Sequence, residues 1–478
     1  MTTAALIAEL RRLLGPEAVF SRPEELAVYE CDAYTVPKMR PEAVVLPRTT
    51  DEVAAVVRLC AGARVPFVPR GAGTGLSGGT LPLRGGVMIG LSRMNRIVSV
   101  DIANRRAIVE AGLVNLRLTE AVSDRGLCFA PDPSSQMVST IGGNVAENAG
   151  GPHTLKYGVT TNHVLGVELV LPDGTVVWCG AAVEDLPGLD LTGVVVGSEG
   201  TFGIVTKAIV RLVPLPQGWR TLLAIFPSID AASRAVSGIL GAGVTPAALE
   251  MIDQTMLRAI EAAFHYGFPT DAGAVLLVEL DGIEAGLSTQ ADRVEKVCGE
   301  SGAVEVRRAR DADERAHFWK ARKLAVGTVG RLAPSVATQD GVIPRTKLPE
   351  ALKRIDEIAA RHRVRICHVF HAGDGNLHPV TLFDERDADE VQRVLAAGMD
   401  ILRVCIDLGG SLTGEHGIGT EKLDAMALMF SDDDLAVFRR VREAFNPDGL
   451  CNPGKVVPTG AECRELRVKQ AAAPGAWV

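Results

Sequence analysis

The chain has 478 residues, a length that predicts two or three domains rather than one. Its 47% hydrophobic and 23% charged residues are typical of a globular protein with a large core. The formal net charge of −8 gives no reason to expect nucleic acid or an anionic membrane as a partner. No uncharged apolar run approaches the roughly 20 residues that span a bilayer, so no transmembrane segment is predicted.

The nine cysteines are widely spaced and include no C-x-x-C pair. This spacing argues against a disulfide scaffold and against an iron–sulfur site within the chain. A reducing compartment is the simplest interpretation, and we therefore expect a cytoplasmic protein.

A strand–helix–strand unit is the first clear pattern along the chain. Residues 42–47 are predicted as a strand, Asp51–Ala63 as a helix with a capping box before it, and Val65–Val68 as a second strand. The glycine-rich segment Arg70–Thr80, called the glycine loop below, follows directly. Consecutive glycines expose backbone N–H groups, so this loop is a candidate diphosphate site.

The spacing Gly73-x-Gly75-x-x-Gly78 matches the dinucleotide fingerprint, which must open a helix. Here the next element, Val87–Ile89, is predicted as a strand, and no Lys-Ser/Thr pair ends the glycines. A Rossmann unit and a P-loop are therefore both excluded, and the backbone alone is expected to hold the phosphates. An ordinary surface turn is the alternative.

Two further segments are rich in glycine and small polar residues. Residues 131–158 are predicted as a long irregular stretch, and such stretches inside compact domains are usually functional. A hairpin is predicted from Val164 to Cys179. The third segment, Gly197–Val205, leads into a predicted strand at Ala208–Val213.

From Thr221 onwards, strands alternate with periodic helices, which predicts a separate α+β domain whose sheet carries helices on one face. The predicted strands are 222–226, 274–280, 304–307, 340–343 and 364–371, and the predicted helices are 230–240, 246–263, 288–298, 312–326 and 348–362.

The three glycine-rich segments and their order resemble the FAD-linked oxidases of the vanillyl-alcohol oxidase type. Within that family the chain is similar to the D-2-hydroxyacid branch, especially the FAD-linked subunits of bacterial glycolate oxidases. The segments that carry the likeness are Arg70–Thr80, Ala130–Gly158, His371–Pro379 and Gly414–Gly419.

The resemblance implies an α+β fold with a two-subdomain FAD-binding domain and an α+β cap with a mainly antiparallel sheet. We expect the FAD-binding domain at residues 1–215, with subdomains at about 1–98 and 99–215. The cap follows at 216–430, and residues 431–478 return to the FAD domain.

FAD is the implied cofactor, with its pyrophosphate on Gly71–Gly75 and its adenosine end at Glu199–Val205. The glycine loop has neither His nor Cys, so noncovalent binding is expected. The implied FAD-binding residues are Pro69, Arg70, Gly71, Ala72, Gly73, Thr74, Gly75, Ser77, Pro131, Asp132, Ser139, Thr140, Gly142, Gly143, Asn148, Gly151, Tyr157, Gly158, Glu199, Gly200, Gly203, Ile204, Val205 and Asn452.

A second site is suggested by a predicted hairpin around a four-residue turn, Gly373–Asn376. If Ala372 pairs with Leu377, His371 lies opposite His378 on one face, where two imidazoles can bind a divalent ion. Two histidines that face each other in a hairpin are more often packed side chains than ligands of a metal site. The resemblance implies His371, His378 and Glu415 as ligands of one divalent ion, either zinc or else manganese or iron.

His416 is the expected general base, taking the hydroxyl proton of a metal-bound 2-hydroxy acid while its hydride passes to flavin N5. Arg322 is the expected carboxylate clamp, and a solvated helix position is its alternative. Relatives that act on D-2-hydroxyglutarate carry Lys and Asn where Thr338 and Val380 stand here. A small monocarboxylate is therefore expected, glycolate first and D-lactate second.

The chain has no cysteine cluster, so it cannot pass electrons through an iron–sulfur centre of its own. The electrons taken from the substrate must therefore go to an external acceptor. The resemblance implies a second flavin-like subunit and an iron–sulfur subunit, at the inner face of the membrane. The alternative to such a complex is a stand-alone D-lactate or D-2-hydroxyglutarate dehydrogenase that passes electrons to a quinone or an electron-transferring flavoprotein. A homodimer is a further alternative for the oligomeric state. The alternatives of another class are a metal-dependent hydrolase and a noncatalytic flavin-binding subunit.

Overall fold

The computed structural model describes residues 2–183 and 187–458, and a four-stranded sheet opens the fold. Its elements are helices α1 (Thr3–Leu14), α2 (Pro23–Leu26) and α3 (Thr50–Ala63) and strands β1 (Val19–Phe20), β2 (Ala43–Val45), β3 (Phe67–Arg70) and β4 (Val87–Gly90). The strand order is β1-β2-β4-β3, with β4 parallel to both β2 and β3. No helix begins between β3 and β4, so the predicted strand–loop–strand around the glycine loop is confirmed.

Helix α3 begins where its capping residues predict. The Thr49 hydroxyl accepts the N–H of Glu52 at 3.2 Å, and the Glu52 carboxylate accepts the N–H of Arg48 at 2.6 Å. Such a cap contributes about 1 kcal/mol. The apolar stripe of Val53, Val56 and Val57 is fully buried, which fixes the helix against the first sheet.

The second sheet is antiparallel, in the order β5-β6-β10-β8-β9, and the pairing of β8 with β9 confirms the predicted hairpin. The strands of this region are β5 (Ile97–Asp101), β6 (Arg106–Glu110), β7 (Leu127–Cys128), β8 (Val164–Val170), β9 (Val176–Gly180), β10 (Ile204–Arg211) and β11 (Val213–Pro214), and its helices are α4 (Asn115–Val122), α5 (Ile141–Glu147), α6 (Thr154–Tyr157) and α7 (Leu191–Val195).

Helix α5 lies in the stretch 131–158, so the prediction of a wholly irregular segment was wrong there. Thr140 caps the helix by accepting the N–H of Gly143 at 3.3 Å, and Asn148 ends it in the left-handed conformation. Two glycines give this helix a low intrinsic propensity, which hid it in the sequence. Packing requires one of them, since a β-carbon on Gly142 would lie 2.6 Å from the β-carbon of Ala111.

The cap is built on one large antiparallel sheet in the order β15-β12-β14-β13-β18-β19-β17, and β20 joins β18 to β16. The cap strands are β12 (Gly218–Phe226), β13 (Ala248–Asp253), β14 (Ala274–Gly282), β15 (Glu305–Arg308), β16 (Ser335–Thr338), β17 (Gly341–Val342), β18 (Arg365–His371), β19 (Asn376–Leu377) and β20 (Pro379–Phe383). The cap helices are α8 (Ile229–Gly241), α9 (Gln254–Phe264), α10 (Leu287–Glu300), α11 (Ala312–Thr328), α12 (Leu348–His362) and α13 (Ala388–Asp407). In the described residues no helix is both long enough and apolar enough to cross a membrane.

Helices cover both faces of the cap sheet, so the prediction of helices on one face was wrong. Leu222, Ala224 and Phe226 of β12 pack with α8, α10, α12 and α13, whereas Leu223 and Ile225 pack with α9 and α11. Because neighbouring strand residues point to opposite faces, the central strands are apolar throughout.

The same burial explains the error at residues 246–263, which were predicted as one helix. The first part is β13, and all of its residues are buried in the middle of the sheet. A short apolar run does not distinguish a buried strand from a helix. The helix begins only after Asp253, whose carboxylate accepts the N–H of Met256 at 2.8 Å.

The chain then returns to its first sheet. Helices α14 (Met426–Met429) and α15 (Asp432–Phe445) follow the cap, after which Leu450 and Asn452 exchange backbone hydrogen bonds with Phe67 of β3. The predicted returning segment continues to residue 478, but its part beyond residue 458 lies outside the described residues. The domain boundaries near 98, 215 and 430 stay predictions.

Candidate active site

A cleft lies between the glycine loop, helix α5 and the cap. It comprises a cavity of about 420 Å³ and a smaller one of about 60 Å³, which share Gly71, Thr80, Thr140, Gly143 and Glu147. The larger cavity also reaches the cap, so one space connects the predicted cofactor loop with the predicted catalytic residues. We call the two cavities together the cofactor cleft.

The glycine loop is shaped by Arg70 from behind. Its guanidinium donates to the carbonyl of Cys31 at 2.9 Å and to the hydroxyl of Thr80 at 3.0 Å, and a β-carbon on Gly73 would collide with it. Gly73 has φ +73°, which also favours glycine. A β-carbon on Gly71 would lie 2.5 Å from the Thr140 hydroxyl oxygen, so a side chain does not fit at this position. Without a side chain, the loop backbone stays open to a ligand.

The donor groups of the cleft fit a polar cofactor. The side-chain amide nitrogen of Asn144 and the hydroxyl of Ser139 are buried, line the larger cavity and have no hydrogen-bond partner among the described residues. Buried polar groups are nearly always paired in native proteins. A flavin dinucleotide, with its diphosphate and carbonyl acceptors, would supply the missing partners.

The structure brings most of the implied FAD residues to this cleft, while the others lie outside its lining; the roles of both groups stay predictions. The ones that line it are Pro69, Arg70, Gly71, Ala72, Gly73, Thr74, Gly75, Ser139, Thr140, Gly142, Gly143, Glu199, Gly200, Gly203 and Val205. The ones outside both linings are Ser77, Pro131, Asp132, Asn148, Gly151, Tyr157, Gly158, Ile204 and Asn452.

Two of the implied FAD residues, Asn452 outside the linings and Glu199 in the smaller cavity, connect distant segments of the chain. The amide of Asn452 donates to the carbonyls of Gly79 at 3.0 Å and Glu199 at 2.7 Å, so it fastens the returning chain to the back of the cleft. The Glu199 carboxylate accepts the N–H groups of Ile418 and Gly419, at 2.6 and 2.7 Å. This carboxylate therefore joins the FAD domain to the loop that carries Glu415 and His416.

The predicted metal ligands converge on one carboxylate oxygen. Nε2 of His371 lies 3.2 Å from Oε1 of Glu415, and Nε2 of His378 lies 3.1 Å from the same atom. The three ligand atoms lie within 4.8 Å of one another. Two imidazoles and one carboxylate suit zinc, manganese or iron(II) and leave coordination positions open.

The predicted strand register was wrong, although the two histidines do meet. His371 pairs with Asn376, and His368 pairs with Pro379, so the hairpin is shifted by two residues from the expected pairing. A shift of two preserves the face on which each side chain lies, and His378 becomes a diagonal neighbour of His371. The imidazole centroids are 5.1 Å apart.

A buried carboxylate that the sequence did not reveal orients His371. Glu250 is directly opposite His371 across β13 and β18, with its Oε1 2.7 Å from Nδ1. Nδ1 of His378 lies 3.2 Å from the carbonyl of Gln339. Both acceptors favour a proton on Nδ1, which would leave both Nε2 atoms as ligands for a metal.

The charges of this group favour a cation between its members. Burial alone raises the pKa of Glu415, but attraction to His371 and His378 outweighs it and holds that pKa well below its usual range. Burial lowers the pKa of His371, and the carboxylates of Glu250 and Glu415 raise it well above its usual value. A divalent ion would provide the positive charge that these carboxylates attract.

A second set of ligand types, Asp340, His378 and His416, is also close enough to bind an ion. The Asp340 carboxylate is already occupied by hydrogen bonds, however. It accepts the N–H groups of Gly414 at 3.1 Å and His416 at 2.9 Å and pairs with Lys422 at 3.1 Å. Asp340 therefore holds the loop, and His371, His378 and Glu415 stay the predicted metal ligands.

His416 lines the larger cavity and stacks on His378, with ring centroids 4.9 Å apart and planes 8° apart. Burial lowers the pKa of His416 to about 4, against the pull of Asp340. The imidazole is therefore neutral at neutral pH, as a general base requires. His368 lies outside the cavity lining, and its backbone N–H donates to Asp253 at 2.7 Å.

Arg322 lies on helix α11 and lines the same cavity. It is 5% exposed, so the alternative of a solvated helix residue was wrong. Its Nε donates to Oε2 of Glu250 at 2.5 Å, which makes Glu250 a link between Arg322 and His371. Of the two positions used to infer the substrate, Thr338 lines the cavity, whereas Val380 is fully buried in the core.

Two family models match the chain. The model described as FAD binding domain matches residues 41–180, and the model described as FAD linked oxidases, C-terminal domain, matches residues 215–456. Glycolate oxidase subunit GlcD of Escherichia coli is 44% identical over 97% of this chain and 93% of its own length. The chain belongs to the FAD-linked oxidases.

This FAD-linked oxidase is also similar to other oxidases and dehydrogenases over nearly its full length. Glycolate oxidase subunit GlcD of Bacillus subtilis is 41% identical over 97% of this chain and 99% of its own. A D-lactate dehydrogenase of Anaerostipes hadrus is 33% identical, over 94% and 95%. The fold matches that of p-cresol methylhydroxylase, with a TM-score of 0.81 and 17% identity over 95% and 96%. The vanillyl-alcohol oxidase type of fold and FAD-dependent oxidoreductase chemistry are thereby confirmed, and the hydrolase alternative was wrong.

Proposed function

We propose that this FAD-linked oxidase oxidises a small 2-hydroxy acid with one carboxylate, glycolate or D-lactate, to the 2-oxo acid. One observation carries the proposal: Arg322, His378, Glu415 and His416 line a single cavity together with the glycine loop. The cavity therefore offers a carboxylate clamp, two metal ligands and a neutral base beside the cofactor loop. The glycolate oxidase and D-lactate dehydrogenase names of the relatives support the same substrate class.

The residues divide the work as follows. Arg322 binds the substrate carboxylate, since its planar fork can donate two parallel hydrogen bonds. His416 accepts the proton of the 2-hydroxyl group. When bound, FAD supplies the acceptor for the hydride on the α-carbon, and the divalent ion supplies a positive charge that favours the alkoxide. One hydride and one proton leave the substrate, which balances its oxidation to the 2-oxo acid.

The cavity wall supports a small substrate side chain. Val326, Val336, Ala337 and Val369 line it, and they offer no charged partner to a second carboxylate. Arg322 is the one arginine or lysine in the described lining of the larger cavity. A dicarboxylate such as D-2-hydroxyglutarate would leave one carboxylate unpaired there. Removing an unpaired carboxylate from water into a partly desolvated site weakens the binding free energy.

Steady-state kcat/KM for glycolate, D-lactate and D-2-hydroxyglutarate, measured with an artificial electron acceptor, tests this proposal. Glycolate or D-lactate should be preferred, and a preference for D-2-hydroxyglutarate would refute the inferred substrate class. The change His416→Ala should nearly abolish turnover and leave the flavin spectrum intact. Near-normal turnover would refute His416 as the base.

The electrons pass on to a partner in this proposal. Both glycolate oxidase relatives are named as subunits, which supports a complex with partner subunits. We propose a second flavin-like subunit and an iron–sulfur subunit as these partners, at the inner membrane face. The named D-lactate dehydrogenase relative supports the alternative of a stand-alone enzyme that uses a quinone-type acceptor. Quinone reduction by the isolated chain, compared with the assembled complex, distinguishes these two routes.

A further inference from the structure

Glu147 is the last residue of helix α5, and it is the only carboxylic residue besides Glu199 that lines the smaller cavity within the described part of the chain. It also lines the larger cavity, so its side chain stands where the two halves of the cofactor cleft join. Its Oε2 is buried and has no hydrogen-bond partner among the described residues.

Glycines from two segments make room for this carboxyl group. A β-carbon on Gly79, at the end of the glycine loop, would lie 2.8 Å from Oε1 of Glu147. A β-carbon on Gly417 would collide with Oε2, and the φ of +83° at that residue also favours glycine. The carboxyl group therefore sits between the glycine loop and the loop that carries Glu415 and His416.

The carboxyl of Glu199 is close by, since the same β-carbon on Gly417 would lie 2.7 Å from its Oε1. Two neighbouring carboxyl groups do not both ionise readily in a buried site. Glu199 accepts two backbone N–H bonds, from Ile418 and Gly419, which stabilise its ionised form. Oε2 of Glu147 accepts none, so Glu147 is the member of the pair that keeps the proton.

We propose that Glu147 is a cofactor-binding residue, whose protonated carboxyl group donates a hydrogen bond to an acceptor atom of FAD. An ionised carboxylate at this point would face the diphosphate of the cofactor and repel it. A protonated one instead provides a donor where Oε2 now lacks a partner. The inference concerns FAD binding alone, so it can fail while the proposed substrate and base stand.

The surrounding charges agree with this protonation. Burial raises the pKa of Glu147 well above its usual value, and the carboxylates of Glu199 and Asp32 raise it further. The ammonium groups of Lys422 and Lys455 act in the opposite direction and do not reverse the shift. Among the charged side chains of the described residues, these four have the largest effects on the pKa of Glu147, and each of them is present in the variants described next.

The affinity of the full chain for FAD, measured by flavin fluorescence from acidic to alkaline pH, tests the proposal. FAD binding to the native chain should weaken as pH rises through the pKa of Glu147, by up to tenfold per pH unit. Glu147→Gln keeps a hydrogen-bond donor without the proton equilibrium. This variant should bind FAD within about threefold of the native chain at the lowest pH and lose most of the pH dependence.

The matched control is Glu168→Gln, which changes a buried carboxyl that pairs with Thr206 and Lys207 and lines neither cavity. It should follow the native pH dependence. An infrared spectrum of the native chain should also show the carbonyl band of a protonated carboxylic acid that shifts when FAD binds. The proposal is overturned by a pH dependence in Glu147→Gln equal to the native one, or by a native spectrum without such a shift.

Discussion

Asp340 and Lys422 form an ion pair with an Oδ2–Nζ distance of 3.1 Å, and neither side chain is exposed to solvent. The same carboxylate accepts the backbone N–H groups of Gly414, Glu415 and His416. The predicted metal ligand Glu415 and the proposed base His416 are thus held by one buried anion. The pair joins the end of the cap sheet to the loop that completes the active site.

Replacing Asp340 by Asn should cost both stability and turnover. Lys422 is left as a buried, unpaired charge, a loss of about 3–5 kcal/mol in comparable cases. The double change Asp340→Asn with Lys422→Met removes both charges, so it should recover most of the stability while turnover stays low. Thermal unfolding and kcat of the single and double variants test this. Full activity in the double variant would show that Asp340 does not position the loop.

Replacing Arg322 by Lys should weaken substrate binding. The ammonium group keeps the charge but loses the planar fork, so kcat/KM should fall by about tenfold to a hundredfold, mainly through KM. Lys320→Ala, on the exposed side of the same helix, is the matched control and should behave as the native enzyme. Equal KM values in Arg322→Lys and the native enzyme would show that Arg322 does not bind the substrate carboxylate.

One divalent ion per chain should be found in the purified protein, and His378→Ala should lose it. The three ligand atoms of His371, His378 and Glu415 point at one another, and removing one leaves too few for tight binding. His368→Ala is the control, because that buried imidazole lies outside the cavity and should leave the metal content unchanged. Metal analysis of the three proteins gives the answer directly, and equal content in all three would contradict the assigned ligands.

Stability should decline as pH rises above neutrality because of His153. This imidazole bridges the FAD domain and the cap, with Nδ1 2.7 Å from Asp132 and Nε2 3.5 Å from Glu279. Burial lowers the pKa of His153, but these carboxylates raise it to about 10. The folded pKa lies above the usual 6.5, so its stabilisation is complete below pH 6.5 and is lost towards pH 10.

The test is the unfolding free energy between pH 6.5 and 10, in the native chain and in His153→Gln. The variant should be less stable at pH 6.5 and show a smaller decline towards pH 10. His265→Asn, at the exposed C-terminal cap of helix α9, is the control and should keep the native decline. An unchanged slope in His153→Gln would show that this bridge does not titrate in the expected range.

The sequence predicted the parts of the site that depend on local pattern. The glycine loop, the residue types of the ligand set and the helix that carries Arg322 all leave a local signature. The hairpin register was wrong by two residues, but the period of two along a strand kept both histidines on the predicted face. Local pattern therefore placed the two histidines on one face without finding their pairing.

The supporting carboxylates could not be predicted, because their roles depend on contacts between distant segments. Glu250 lies 121 residues from His371 in sequence, and the Asp340 carboxylate meets Gly414 across 74 residues. Glu250 lies in the apolar strand that was predicted as a helix, which hid its position opposite His371. Strand pairing places Glu250 opposite His371, and helix α11 brings Arg322 to its second carboxylate oxygen.

Anaerobic mixing of the FAD-loaded protein with substrate, followed by flavin absorbance, tests the central claim most directly. The proposed function predicts rapid bleaching by glycolate or D-lactate without added NAD, and slower bleaching by D-2-hydroxyglutarate. A flavin that stays oxidised with both monocarboxylates, or that D-2-hydroxyglutarate reduces fastest, would contradict it.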